Sequence, residues 1–318
     1  MGYRKKGLLA LLLACSPLLA QMNPDGQLRQ AFVLEQQGQF GEVIAITKPL
    51  TESSQLSSVE VARACITLAV AYEGEGEFVE AREAFERSLH ILDHDPEHTT
   101  DYAAALDNYA GLYNNAGQQG IAGQMWMKAL HLRQQNGDHS GVTRSFMNLA
   151  GLALAQNRIR EAKKYLKQAA DEIKQAHDLV DDDFAVLCET EAWLALAGGH
   201  PSTAVAKYGR SLEIITRTRG EQHWLTGWEY MLRGKAYAQS HNTEKALADM
   251  GKGLIILEHT LGDRNPKYFA AQLAYSQVLD RAGSHAEAAQ VNAAAQQAIK
   301  AFYRNQCIGC TVNVAAFR

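Results

Sequence analysis

One alanine recurs along this chain at a nearly fixed interval, and that interval constrains the fold more than any other feature. It stands at Ala81, Ala122, Ala162, Ala204, Ala246 and Ala288, with Val43 as an imperfect first member, so successive spacings are 38, 41, 40, 42, 42 and 42 residues. A second small residue keeps step with it at Ala31, Ala69, Ala110, Ala150, Ala192, Gly234 and Ser276. Between the two lies a polar turn each time: "QGQF", "GEGEF", "AGQQG", "QNRI", "GGHP", "SHNT" and "AGSH". Self-similarity at a period of about 20–50 residues marks a stacked array of supersecondary units.

The unit is a helix hairpin. Apolar residues in each half recur at intervals of three and four, the helical period. Gly and Asn collect at the turn, where helices end in a left-handed residue. The two small residues lie where paired helices cross, and a larger side chain there would force the axes apart at a cost of roughly 1–3 kcal/mol. A bulky residue four positions after the second small one (Phe85, Trp126, Leu166, Tyr208, Met250) fills the gap to the next unit. One hairpin cannot bury its own apolar face, so the units must stack. The expected fold is all-α: about seven hairpins, or fourteen helices, forming one solenoid over residues 21–300.

The ends do not belong to the repeat. "MGYRKK" followed by "GLLALLLA" and "CSPLLAQ" has the order of an export signal, a basic start, a short apolar core and a small-residue cleavage region. The apolar run is too short for a membrane anchor, which needs roughly 20 residues. Residues 1–20 are therefore expected to be a signal peptide cleaved after Ala20. The alternative is lipidation at Cys15, because "LLAC" resembles a lipobox; contact with a membrane is expected only in that case. Either outcome predicts an exported protein, periplasmic or extracellular, or an outer-membrane lipoprotein.

Hydrophobic content of 47% is too high for disorder, and the net charge of −4 comes with no basic run after Lys6, which argues against a nucleic-acid partner. No catalytic motif of the G-x-S-x-G, H-E-x-x-H or phosphate-loop kind is present, so neither an enzyme nor a cofactor is expected. "DHDPEH" (Asp93 to His98) gathers possible metal ligands, but on a single loop they do not close a tetrahedral site. Asp181 to Asp183 read as the start of a helix, where carboxylates favour the dipole. Cys65 and Cys188 sit at equivalent places on apolar faces and read as small buried hydrophobes.

The repeats resemble the tetratricopeptide repeat, most closely in "LAVAYEGEGEFVEAREAFERSL" and "YAGLYNNAGQQGIAGQMWMKAL". The standard repeat is about 34 residues long. Spacers such as "TRTRGEQHWLTG" and "EHTLGDRNPKYF" bring most of these units near 42 residues, which is similar to the kinesin-light-chain-like subclass. The resemblance covers about Gly26 to Lys300. It departs from the pattern late in the chain, where Pro201 and Thr243 replace the turn aromatic and Asn292 replaces the bulky residue. The resemblance implies a right-handed superhelix whose first helices line a concave groove that binds a protein or extended peptide. By that register the partner-binding candidates are Arg63, Asp107, Asn108, Asn114, Arg144, Asn148, Trp193, Trp228, Lys235 and Gln277. Asn108 and Asn148 occupy the same place in consecutive repeats. The resemblance implies that an amide there holds a bound peptide backbone, since it both donates and accepts. Trp193 and Trp228 are either apolar anchors or core between repeats. The functional expectation is a non-enzymatic interaction scaffold, with a peptide-responsive sensor as the alternative.

Residues 301–318 end the chain with Cys307 and Cys310 in "CIGC". A disulfide suits an oxidising compartment, and the segment is expected to fold over the open end of the solenoid. A thiol oxidoreductase is the remaining alternative, although a redox CxxC normally opens a helix.

Overall fold

The hairpin period of the sequence becomes fourteen helices in the computed structural model, which describes residues 22–93, 96–176 and 179–306. They pair in chain order as seven hairpins. These are α1 (Pro24–Gln36) with α2 (Phe40–Leu50), α3 (Ser58–Glu75) with α4 (Phe78–Leu92), and α5 (Thr99–Asn115) with α6 (Gln119–Gln135). Next come α7 (His139–Ala155) with α8 (Ile159–Glu172), and α9 (Asp181–Ala197) with α10 (Pro201–Arg219). The last two are α11 (Trp224–Gln239) with α12 (Thr243–Leu261), and α13 (Pro266–Arg281) with α14 (His285–Asn305). A short 3₁₀ turn, Pro96–His98, precedes α5. There are no strands among the described residues, and no described helix is long and apolar enough to cross a membrane. The last helix runs to Asn305, five residues beyond the boundary at 300 expected from the repeat.

Local chemistry fixes the helix ends. Ser57 and Glu60 form a reciprocal capping box at α3: the Ser57 backbone N–H donates to Glu60 Oε2 (2.7 Å) and the Glu60 N–H to Ser57 Oγ (3.3 Å). Asn23, Asp138 and Asn242 cap α1, α7 and α12 through side-chain oxygens. The turn inside each hairpin holds a residue at positive φ, glycine in most. Asn157 (φ 57°) and His241 (φ 59°) take that place in the fourth and sixth hairpins.

The small residues lie at the crossings. Ala31, Ala69, Ala110, Ala150 and Ala192 of the first helices are fully buried, as are Val43, Ala81, Ala122, Ala162, Ala204 and Ala246 of the second. Gly234 shows how tight the contact is: a Cβ there would sit 2.4 Å from Met250 Cγ and 3.1 Å from the Ala246 carbonyl. The bulky residues Phe85, Trp126, Leu166, Tyr208 and Met250 are all buried, and Phe85, Trp126, Tyr208 and Met250 each join a core between hairpins. Asn292, which stands in that position in α14, is exposed because no eighth hairpin follows among the described residues.

A linear repeat pattern does not anticipate where the two ends of the array go. The sixth and seventh hairpins return to meet the first and second. Asn265, the buried N-cap residue of α13, donates through Nδ2 to the Gly74 carbonyl at 2.8 Å. Arg219 at the end of α10 donates through one nitrogen to the Gln36 carbonyl (2.9 Å) while its Nε holds Asp182 (2.8 Å). The Phe302 ring stands edge-on to Phe78, with centroids 5.4 Å apart, and to Phe269 at 6.2 Å. The Val79 N–H donates to Gln306 Oε1 at 3.1 Å. The end of the solenoid is therefore covered by the chain's own second hairpin. The expected tail fold-over and the Cys307–Cys310 disulfide both fall on residues 307–318, outside the described residues.

Candidate functional site

The first helices of the third, fourth and fifth hairpins, with Trp126 of α6, line a cavity of about 220 Å³. Its apolar surface comes from Trp126, Met147, Leu152 and Trp193, and its polar groups are Asn114, Asn148, Glu189 and Thr190. Register explains the convergence. Met147 and Glu189 each stand three residues before the packing alanine of their helix, and Asn148 and Thr190 two before. Side chains at these offsets project beside the crossing rather than into it.

A buried polar network holds this wall in place. Arg133, only 7% exposed, reaches from α6 to the Gly141 carbonyl (3.1 Å) and Ser145 Oγ (2.7 Å) of α7, and to Asp107 Oδ2 of α5 (3.4 Å). The other Asp107 oxygen accepts from Asn148 Nδ2 at 3.1 Å, and the Asp107 carbonyl accepts from the Trp126 indole at 3.1 Å. Asn148 is thus oriented by its Nδ2, and nothing among the described residues donates to its carbonyl oxygen. The amide is presented to the cavity with one hydrogen-bonding end fixed.

The groove candidates divide by environment. Asn114, Asn148 and Trp193 come together at the cavity. Asp107 lies behind it, tied to Asn148 and Arg133. Arg63 and Arg144 form equivalent bidentate pairs to the next repeat: Arg63 holds Asp101 (2.8 and 2.9 Å) and Arg144 holds Asp183 (2.8 and 3.2 Å). Each arginine stands six residues before its packing alanine and each aspartate nine before the next, so the pairs form a ladder between neighbouring units. Asp181 to Asp183 open α9 as expected, and all three are ion-paired as well: Asp181 with Arg217, Asp182 with Arg219 and Asp183 with Arg144. Trp228 packs between the cores of the fifth to seventh hairpins. Lys235 is half-buried, and burial lowers its pKa. Asn108 and Gln277 are exposed and do not line the cavity. Cys65 is buried, whereas Cys188 is half-buried. No cluster of metal-ligating side chains occurs among the described residues.

Glu189 escaped the sequence reading, although it occupies the register position of Asp107 in its own repeat. Burial pushes its carboxyl up to about 7. Behind it Glu229, 3% exposed, accepts from Ser211 Oγ at 2.8 Å, while its second oxygen has no partner among the described residues. Burial first, and then the charge of Glu189, raise the Glu229 pKa well above the carboxylate range. The folded state therefore holds a proton on Glu189 that the unfolded chain releases above its ordinary value of 4.5, and the stability tied to that proton is lost as pH rises through about 7. Glu189→Gln is expected to raise the melting temperature at about pH 8 and to leave it unchanged at about pH 4, as read by calorimetry across that range.

The tetratricopeptide hairpin solenoid is the fold that this geometry defines, and solved structures of the same fold bear it out. No protein-family model matches the sequence, and the search of curated proteins found no match. Among solved structures, the chain is similar to the Rap conjugation gene regulator of the plasmid pLS20 in complex with the Phr* peptide. The TM-score is 0.69 at 13% identity, covering 89% of this chain and 75% of that one. A Rap protein complexed with competence and sporulation factor matches at TM-score 0.55 and 13% identity, covering 92% and 94%. The Cut9-Hcn1 hetero-tetramer of the APC/C matches at TM-score 0.52 and 16% identity, over 92% of this chain and 54% of that one. At these identities the likeness is one of fold.

Proposed function

We propose that this protein is a non-enzymatic scaffold that holds an extended peptide, free or as part of a partner protein, along its inner groove. The observation that carries the reading is the cavity itself, an apolar recess between Trp126, Met147, Leu152 and Trp193 with the Asn114 and Asn148 amides on its wall. One apolar side chain of the ligand enters the recess, and the oriented Asn148 amide accepts a ligand backbone N–H. The fold is shared with a Rap regulator solved with the Phr* peptide, which supports a peptide as the ligand class. The expected export signal in residues 1–20 makes the partner a component of the cell envelope or its exterior. Mass spectrometry of the mature N-terminus distinguishes cleavage after Ala20 from lipid on Cys15.

Selection of random dodecapeptides on the full chain by ribosome display is expected to enrich a motif with one large apolar residue. Asn148→Ala with Trp193→Ala is then expected to weaken the selected peptide at least about tenfold, close to 1.4 kcal/mol, by fluorescence polarisation. Unchanged affinity in the double variant would remove the groove assignment. A second reading, a sensor whose shape responds to peptide, is favoured by the seam between first and last hairpins. A ligand that favours one spacing of the two ends shifts the population.

A further inference from the structure

The seam contains a second cavity, of about 180 Å³, that shares no lining residue with the recess described above. It is smaller than the roughly 300–1,000 Å³ of drug-sized sites. It opens where α1, α2 and α3 face the end of α10 and the starts of α11 and α13, and its walls include Phe40, Val70, Trp224 and Leu225.

Two of the residues that line it, His223 and Glu35, each have a polar end without a hydrogen-bond partner among the described residues. His223 is 7% exposed, and its Nδ1 accepts from the Leu225 N–H at 3.2 Å. The ring proton therefore sits on Nε2, which is buried without a hydrogen-bond partner among the described residues. Burial, then the Arg219 charge, lower this imidazole to about 4, so the ring is a neutral donor. A buried donor left without an acceptor is destabilising. The second group is the half-buried Glu35 carboxylate, to which nothing among the described residues donates a hydrogen bond. Burial raises it to about 7 in spite of Arg219, whose guanidinium is committed to Asp182 and the Gln36 carbonyl. The remaining charges are engaged: Glu73 accepts from Asn115 at 2.6 Å, and Lys267 lies 5.3 Å over the Trp224 ring.

A donor without an acceptor and an acceptor without a donor, beside apolar and aromatic walls, define complementary chemistry. We propose that the seam cavity binds an α-amino unit: a primary ammonium against Glu35, the adjacent carbonyl or carboxylate oxygen against His223 Nε2–H, and an apolar side chain against Phe40 and Trp224. A free amino acid and the first residue of a peptide share this chemistry. Because the walls come from both ends of the array, the occupant closes the seam and stabilises the ring. The proposal does not depend on peptide binding in the groove.

Calorimetric titration of the full chain with L-leucinamide, L-leucine, Leu-Gly-Gly and N-acetyl-L-leucinamide tests it. Unblocked ligands are expected to bind, and the acetylated one to bind at least about tenfold more weakly. Tighter binding of Leu-Gly-Gly assigns the site to a peptide N-terminus, and tighter binding of leucine assigns it to a free amino acid; both support the site. Glu35→Gln is expected to lower the affinity for leucinamide at least about tenfold while far-UV circular dichroism and groove-peptide affinity stay unchanged. His223→Phe, which removes the donor, is expected to act in the same direction. The proposal is overturned if the acetylated ligand binds equally well, if Glu35→Gln binds as the wild type does, or if no unblocked ligand binds up to about 10 mM.

Discussion

Arg133→Ala is expected to lower the unfolding free energy by about 3–5 kcal/mol, the largest single loss on the inner wall. The Arg133 side chain is 8% exposed, and its guanidinium joins α6 to both α5 and α7. Its removal leaves the Asp107 carboxylate, 15% exposed, without its cation, and strips the Gly141 carbonyl and Ser145 hydroxyl of a donor. An uncompensated buried charge, rather than the lost attraction, sets the size of the effect. Arg133→Met, of similar length, is expected to be as damaging, because the stem is not what Asp107 needs. Urea unfolding of both variants measures it, and a cost under about 1 kcal/mol would mean that water satisfies Asp107. Arg63→Ala is the control: its pair with Asp101 has a side chain 54% exposed, and exposed pairs contribute about 0–1 kcal/mol.

Phe302→Ala is expected to open the ring. Phe302 is the aromatic wedge between Phe78 of the second hairpin and Phe269 of the seventh. It also packs on the core around Tyr72 and Phe85. A half-buried ring of this kind contributes about 2–3 kcal/mol, and it shares the seam with Trp224 and Leu261, which pack on the core of the first hairpin. In an open solenoid each hairpin touches only its neighbours, so loss of the wedge lengthens the molecule without unfolding its repeats. X-ray scattering is expected to show a larger radius of gyration with unchanged helical content. The same radius as the wild type would show that Asn265 and Arg219 hold the seam without the aromatic contact.

The reach of the sequence follows from the range of each interaction. Helices, turns and crossings were legible because they repeat: a buried Ala at Ala122 or Ala204 recurs in step with its neighbours, and chance does not maintain seven such members. That Asn114, Asn148 and Trp193 meet at one cavity follows from the same register that buries Ala110, Ala150 and Ala192 and leaves the adjoining positions beside the crossing. Arg63 and Arg144 looked like groove residues because sequence shows a charge and not its partner. Each is neutralised by an aspartate of the next repeat, an outcome set by the stagger between stacked hairpins. Glu189 looked unremarkable because burial, not spacing, changes its chemistry. The seam was illegible for a further reason. Asn265 meets Gly74 across 191 residues, and no periodicity records that pair. It follows from the accumulated rotation of five hairpin steps, which small side-chain volumes set one crossing at a time.

The proposed ligand is an extended peptide in the inner groove, with a side chain in the recess between the third and fifth hairpins. Photo-crosslinking tests it most directly: a selected dodecapeptide carries benzoylphenylalanine at its large apolar position, and the attachment sites on the full chain are read by mass spectrometry. Crosslinks are expected at Trp126, Met147, Leu152 or Trp193, lost when the unlabelled peptide competes. Competable crosslinks confined to the outer helices, such as α8 and α10, would contradict it.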